Sequence, residues 1–89
     1  MKYFITGING FIGFSLAKKL VDLGHTVSGI DDMNHYYDVA LKTARERILD
    51  DDYEVNVHHG SIVKKHDAYD MYSLDVCIKH EKPDVVINL

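Results

Sequence analysis

The chain has one cysteine, one proline and no strong excess of charge, and each scarcity removes a class of protein. Cys77 has no second cysteine to pair with, so no internal disulfide staples the fold, which fits a reducing cytoplasm. Ten basic residues against fourteen acidic ones give a formal net charge of −4, and no basic patch dominates, which argues against a nucleic-acid surface. No apolar run is long enough to span a bilayer. The apolar start is broken by Thr6, Gly7, Asn9 and Gly10, with no small-residue cleavage site after it, so a secretion signal is not expected. Repeats, low-complexity tracts and flexible linkers are also missing. What is present is 46% hydrophobic residues in 89, enough for one small packed domain. The expectation is a soluble cytoplasmic domain with neither nucleic acid nor membrane as partner.

Strand and helix patterns alternate along the chain. Residues Tyr3 to Thr6 read as a strand. Phe11 to Leu23 reads as a helix, with Ile12, Leu16, Leu20 and Leu23 at helical spacing and Gly24 as the stop. Thr26 to Ile30 is a second strand. A polar loop leads to a second helix from about Tyr36 to Asp50, where Tyr37, Leu41, Ala44 and Ile48 form an inward stripe and Lys42, Arg45 and Glu46 face outward. The run Asp50-Asp51-Asp52 opposes the helix dipole and marks the expected stop. Tyr53 to His58 is a third strand. Ser73 to Lys82 is a third helix, with Leu74, Cys77 and Ile78 inward and Pro83 ending it. Asp84 to Leu89 is a fourth strand.

The first and fourth strands are continuous apolar runs, as strands covered on both faces should be, whereas the third alternates like a half-covered edge. With right-handed crossovers this predicts an α/β fold, a parallel four-stranded sheet of order 3-2-1-4 with helices on both faces, the first half of a Rossmann fold. The fourth strand then lies at an open edge although it reads as central. The expectation is that the sheet is incomplete within these residues, and that the open edge pairs two copies into a homodimer.

The chemistry is concentrated at the first turn. Gly7, Gly10 and Gly13 follow the first strand and open the first helix, and Asp31 ends the second strand. Glycines let the backbone turn sharply and let a pyrophosphate approach, while the N–H groups of the first helical turn and the helix dipole attract the anion. A merely tight strand–helix turn, with Asp31 as a solvated loop acid, is the alternative. The acidic residue at the end of the next strand favours the nucleotide cradle.

The spacing in Thr6-Gly7-Ile8-Asn9-Gly10-Phe11-Ile12-Gly13 resembles the signature of extended short-chain dehydrogenases/reductases, which include NAD-dependent nucleotide-sugar epimerases and dehydratases. The segment Gly29-Ile30-Asp31-Asp32-Met33-Asn34-His35-Tyr36-Tyr37-Asp38-Val39 resembles that of the UDP-glucuronate 4-epimerases, which usually read Gly-Ile-Asp-Asn-Leu-Asn-Asp-Tyr-Tyr-Asp-Val. Ala40 to Arg45 and Lys82 to Leu89 extend the similarity, which is weakest from Ser61 to Tyr72. The resemblance implies NAD as cofactor, with Phe11 and Ile12 offering N–H groups to the pyrophosphate. Asp31 would accept hydrogen bonds from the adenosine ribose hydroxyls and repel a 2′-phosphate, favouring NAD over NADP. Asn34 matches a polar cofactor-side position and equally suits a turn or helix cap. After the third strand the family carries Gly-Asp-Ile or Gly-Asp-Leu. Here Gly60-Ser61-Ile62 replaces the charged acceptor for the adenine amino group with a neutral hydroxyl, which weakens that bond.

The same enzymes use a Tyr-x-x-x-Lys pair for proton transfer, the Lys lowering the tyrosine pKa. No tyrosine here is followed by Lys four positions on, so no catalytic residue is assigned. The resemblance implies the N-terminal part of a Rossmann domain spanning 1–89, inactive alone, with a nucleotide sugar bound only if the missing sugar domain is supplied. A stand-alone nucleotide-binding or edge-strand interaction module is the alternative. No metal site is expected, since His58 and His59 alternate faces and His66 and His80 lack ligand-spaced partners. Cys77, on an apolar helix face, reads as a buried thiol, and Tyr37 as packing.

Overall fold

The computed structural model of the chain describes residues 1–32, 39–59 and 74–89. Strands β1 (Lys2–Thr6), β2 (Thr26–Asp31), β3 (Asn56–His59) and β4 (Val85–Asn88) alternate with helices α1 (Phe11–Asp22), α2 (Val39–Tyr53) and α3 (Leu74–Glu81). The four strands form one sheet in the order β3-β2-β1-β4, with every pairing parallel. The predicted α/β topology is therefore the observed one.

Alternation along β1 divides its side chains between two layers. Ile5 faces a core with Ile8, Ala17, Val27, Leu49 and Val55, which α1 and α2 cover. Phe4 faces the other side, with Ile30 and Cys77, under α3. Leu74 and Ile78 pack there as expected, and Cys77 is 2% exposed. Each fully buried aliphatic side chain contributes roughly 1.5–3 kcal/mol. Among the described residues, no helix is long and apolar enough to cross a membrane.

Helix α1 ends as predicted at Gly24 (φ +93), whose N–H donates to the Val21 carbonyl while that of His25 donates to Leu20, a Schellman closure. Its inward stripe differs. Gly13 and Ala17 are buried and Leu16 and Leu20 pack beside them, but Ile12 and Leu23 are 65% and 62% exposed. Small residues occupy the seam because the helix lies close to the sheet there.

Helix α2 departs further from expectation. Leu41 and Ile48 are exposed, Ala44 is exposed, and Leu49 and Lys42 are buried instead. Arg45 and Glu46 are half-buried rather than outward. The helix is rotated because the carboxylate at the end of β2 draws in Lys42, and Leu49 follows seven residues on the same face. Tyr37 lies outside the described residues. The acidic run does not stop α2, which continues through Asp52 to Tyr53. Glu54 then takes a left-handed conformation (φ 55), and the Val55 N–H donates to the Leu49 carbonyl at 2.9 Å. Strand β3 consequently starts at Asn56, not Tyr53.

β4 pairs with β1 in register from Tyr3↔Val85 to Thr6↔Asn88. Its other edge carries no strand among the described residues, and Val86 is 45% exposed. Val85 and Ile87 are half-buried, so the run that reads as central is covered in part.

Candidate functional site

The turn between β1 and α1 is built from backbone contacts. The Gly7 N–H donates to the Ile30 carbonyl at 2.8 Å, fixing the end of β1 to β2, and the Gly10 N–H donates to the Gly7 carbonyl at 3.0 Å. Gly7 has φ +69, a conformation that suits glycine. Gly13 is required for a different reason. A Cβ there would lie 2.5 Å from the Gly7 oxygen and 2.9 Å from the Ile8 Cα. Helix α1 can thus lie directly against the turn that precedes it.

Gly10 is the N-cap of α1 and supplies no side-chain cap, and the first turn holds no acidic residue. The N–H groups of that turn are therefore open to an external anion, which the helix dipole favours. Beside them lies a cleft of about 590 Å³. It is lined by Gly7, Gly10, Phe11, Ile12, Gly13 and Asp31, all predicted site residues, and so these come together in space. Phe11 and Ile12 are 74% and 65% exposed there, with Leu41 and Leu89 completing an apolar wall. The remaining predicted residues, Asn34, Ser61 and Ile62, lie outside the described residues.

Asp31 ends β2 at the rim of this cleft and is 1% exposed. Its Oδ2 accepts the Asn9 backbone N–H at 3.0 Å, and its Oδ1 accepts from Lys42 Nζ at 2.9 Å. Arg45 Nη1 donates to the Asn9 carbonyl at 3.1 Å. Lys42, Arg45 and Asp32 also line the cleft. Sequence reasoning missed Lys42 and Arg45 by placing them on the solvent face. The available signal was the pairing of Lys42 with Leu49 at a spacing of seven, against the competing stripe through Leu41 and Ile48.

The edge strand β3 is held by two histidine–glutamate contacts on opposite faces of the sheet. His58 Nε2 lies 2.8 Å from Glu81 Oε1 of α3, while His59 pairs with Glu46 of α2. The alternation expected of adjacent strand residues is thus observed. Among the described residues, no group of three or more His, Cys, Asp or Glu side chains is placed to hold a metal ion.

A glycine turn closing on a helix N-terminus, with an acid at the end of the neighbouring parallel strand, is the arrangement of the first half of a Rossmann fold. The family model described as GDP-mannose 4,6 dehydratase matches residues 4–89, and the chain belongs to that family. A probable UDP-glucuronate 4-epimerase of Rhizobium meliloti is 42% identical over 89 residues, all of this chain and 24% of that protein. An uncharacterized 37.6 kDa protein of Escherichia coli O111:H- is 57% identical over 49 residues, 55% of this chain and 15% of that protein. Among solved structures, UDP-glucuronic acid 4-epimerase from Bacillus cereus in complex with UDP-glucuronic acid and NAD superposes with a TM-score of 0.77. It is 27% identical, and the match covers 100% of this chain and 26% of that one. The chain therefore spans about a quarter of the length of the relatives it matches from end to end.

Proposed function

We propose that these residues form the NAD-binding segment of a UDP-glucuronate 4-epimerase. The observation that carries the reading is the cleft itself: Gly7, Gly10, Gly13 and Asp31 meet there in a chain matching, along its whole length, relatives of that description. NAD supplies a reversible hydride acceptor when bound. The N–H groups around Phe11 and Ile12 would hold the pyrophosphate, and Asp31 would accept hydrogen bonds from the adenosine ribose hydroxyls. The absence of a Cβ at Gly13 lets the helix N-terminus lie close to the glycine turn, where it would face the pyrophosphate. By resemblance, Asn34, Ser61 and Ile62 complete the adenosine side. A cytoplasmic setting belongs to the same reading.

These 89 residues contain no Tyr-x-x-x-Lys pair, so by themselves they bind without turnover. Calorimetric titration of the 89-residue chain with NAD, NADP and UDP-glucuronate tests the reading. NAD should bind, NADP more weakly, and Gly10→Val should abolish both. Incubation with NAD should leave UDP-glucuronate unchanged. Failure of NAD to bind the unmodified chain would remove the reading.

Among the described residues β4 is last in the sheet and its Val86 is exposed, which supports a second reading, an interaction module pairing through that strand. Sedimentation should then show a concentration-dependent dimer that Val86→Lys weakens. A strict monomer at high concentration would leave the edge without that role.

A further inference from the structure

Asp31 is not alone at the end of β2. Lys42 Nζ lies 2.9 Å from its carboxylate, the two side chains being 10% and 1% exposed, and the Arg45 guanidinium reaches the neighbouring Asn9 carbonyl from the same helix. Asp31, Lys42 and Arg45 line one cleft. An acid that bonds the ribose 2′-hydroxyl is one solution to dinucleotide selectivity, and a cation that accommodates a 2′-phosphate is the other. This cleft contains both.

We propose that selectivity between NAD and NADP is set by the Asp31–Lys42 pair rather than by Asp31 alone, Lys42 being a cation suited to a 2′-phosphate whose charge Asp31 masks; this rests on the nucleotide reading above. A lone carboxylate repels an approaching phosphate as a single charge. A carboxylate with an ammonium at 2.9 Å acts as a dipole, whose field falls faster with distance. Among the described residues lining the cleft, Asp31 and Asp32 are balanced in formal charge by Lys42 and Arg45. Lys42 and Asp31 are withdrawn from solvent, so salt screens them less than surface charges. The pair therefore discriminates weakly, and its sign depends on which member is present.

A double-mutant cycle read by direct titration separates these roles. In Asp31→Asn, which keeps an acceptor for the Asn9 N–H, the ratio of NADP to NAD affinity should rise about tenfold and favour NADP. In Asp31→Asn combined with Lys42→Met the preference should disappear. If Lys42 only anchors α2, both cofactors lose affinity equally when it is removed and the ratio stays put, which would overturn the proposal and leave NAD binding intact. Binding of neither dinucleotide to the unmodified chain would overturn the nucleotide reading, and the proposal with it. Circular dichroism verifies that each variant folds. Should Asp31→Asn not fold, Lys42→Gln keeps Asp31 and is titrated in the same way. Discrimination against NADP should then deepen about tenfold, and an unchanged ratio would again overturn the assignment.

Discussion

The Thr6 hydroxyl joins the ends of two parallel strands, donating to Asn88 Oδ1 at 2.8 Å and accepting the Leu89 backbone N–H at 3.1 Å. Thr6 is buried, but Asn88 and Leu89 are exposed, so water takes over part of each lost bond when the hydroxyl is removed. Thr6→Val should lower the urea unfolding free energy by about 0.5–1.5 kcal/mol. Thr6→Ser, which keeps the hydroxyl, should recover most of that. Equal losses in the two variants would show that the methyl group matters and the hydroxyl does not.

Gly13 and Gly24 separate crowding from backbone strain. At Gly13 an added Cβ meets backbone at 2.5 Å, so Gly13→Ala must push α1 away from the glycine turn. The expected cost is about 1–3 kcal/mol, with loss of NAD affinity because the helix N-terminus moves. At Gly24 nothing lies within 4 Å, but φ is +93, so Gly24→Ala should cost about 1–2 kcal/mol through strain alone. Its NAD affinity should be unchanged. Thermal unfolding paired with calorimetry distinguishes the two, and an equal effect on binding would contradict the placement of the site.

Most of the fold was legible because its signals are local. Continuous apolar strands, the Gly24 stop and the glycine turn each follow from adjacent residues, and together they predicted the sheet order. The orientation of α2 was not legible, because the helix holds two competing stripes. One runs through Leu41 and Ile48, the other through Lys42 and Leu49. The second wins through Asp31, whose partner is eleven residues away in sequence. The same contact explains why half of the cleft was missed. Gly7, Gly10, Gly13 and Asp31 carry their chemistry in their spacing, but a buried lysine looks like any surface lysine until its carboxylate is placed. The acidic run misled for a related reason: the dipole term at a helix end is worth only about 0.3–1 kcal/mol, and the packing of Tyr53 against the core outweighs it.

Lys42→Met is expected to destabilise strongly, since it leaves Asp31 buried without its cation. Breaking one side of such a pair costs about 3–5 kcal/mol, whereas replacing both sides by apolar groups is often near neutral. Asp31→Leu with Lys42→Met should therefore be more stable than Lys42→Met alone, though short of the unmodified chain because the Asn9 N–H loses its acceptor. Urea denaturation of the single and double variants decides this. A double variant no better than the single would mean that Lys42 stabilises through its packing and not its charge.

Acid stability should reveal the attachment of the β3 edge to α3. Burial pushes the Glu81 carboxyl up, but hydrogen bonds from His58 and Asn56, with the charges of His58 and His80, outweigh it and hold the group below its ordinary 4.5. The facing groups on β3 are His58 at 2.8 Å and Asn56 at 3.1 Å, and His80 lies beside Glu81 on α3. Because the folded carboxyl binds its proton less readily than the unfolded one, the unfolded chain takes up more protons in this range, and stability rises with pH there. The contribution is thus fully present above about pH 4.5 and is lost as pH falls through the lower folded value. Glu81→Gln removes the titrating group and keeps an acceptor for both donors. Its stability deficit relative to the unmodified chain, followed from about pH 5 downward, should shrink as pH falls below the ordinary carboxylate range. Urea midpoints measured across that interval give the difference directly. A deficit that stays constant down to about pH 3 would show that the Glu81 carboxylate gives this edge no charge-dependent stability.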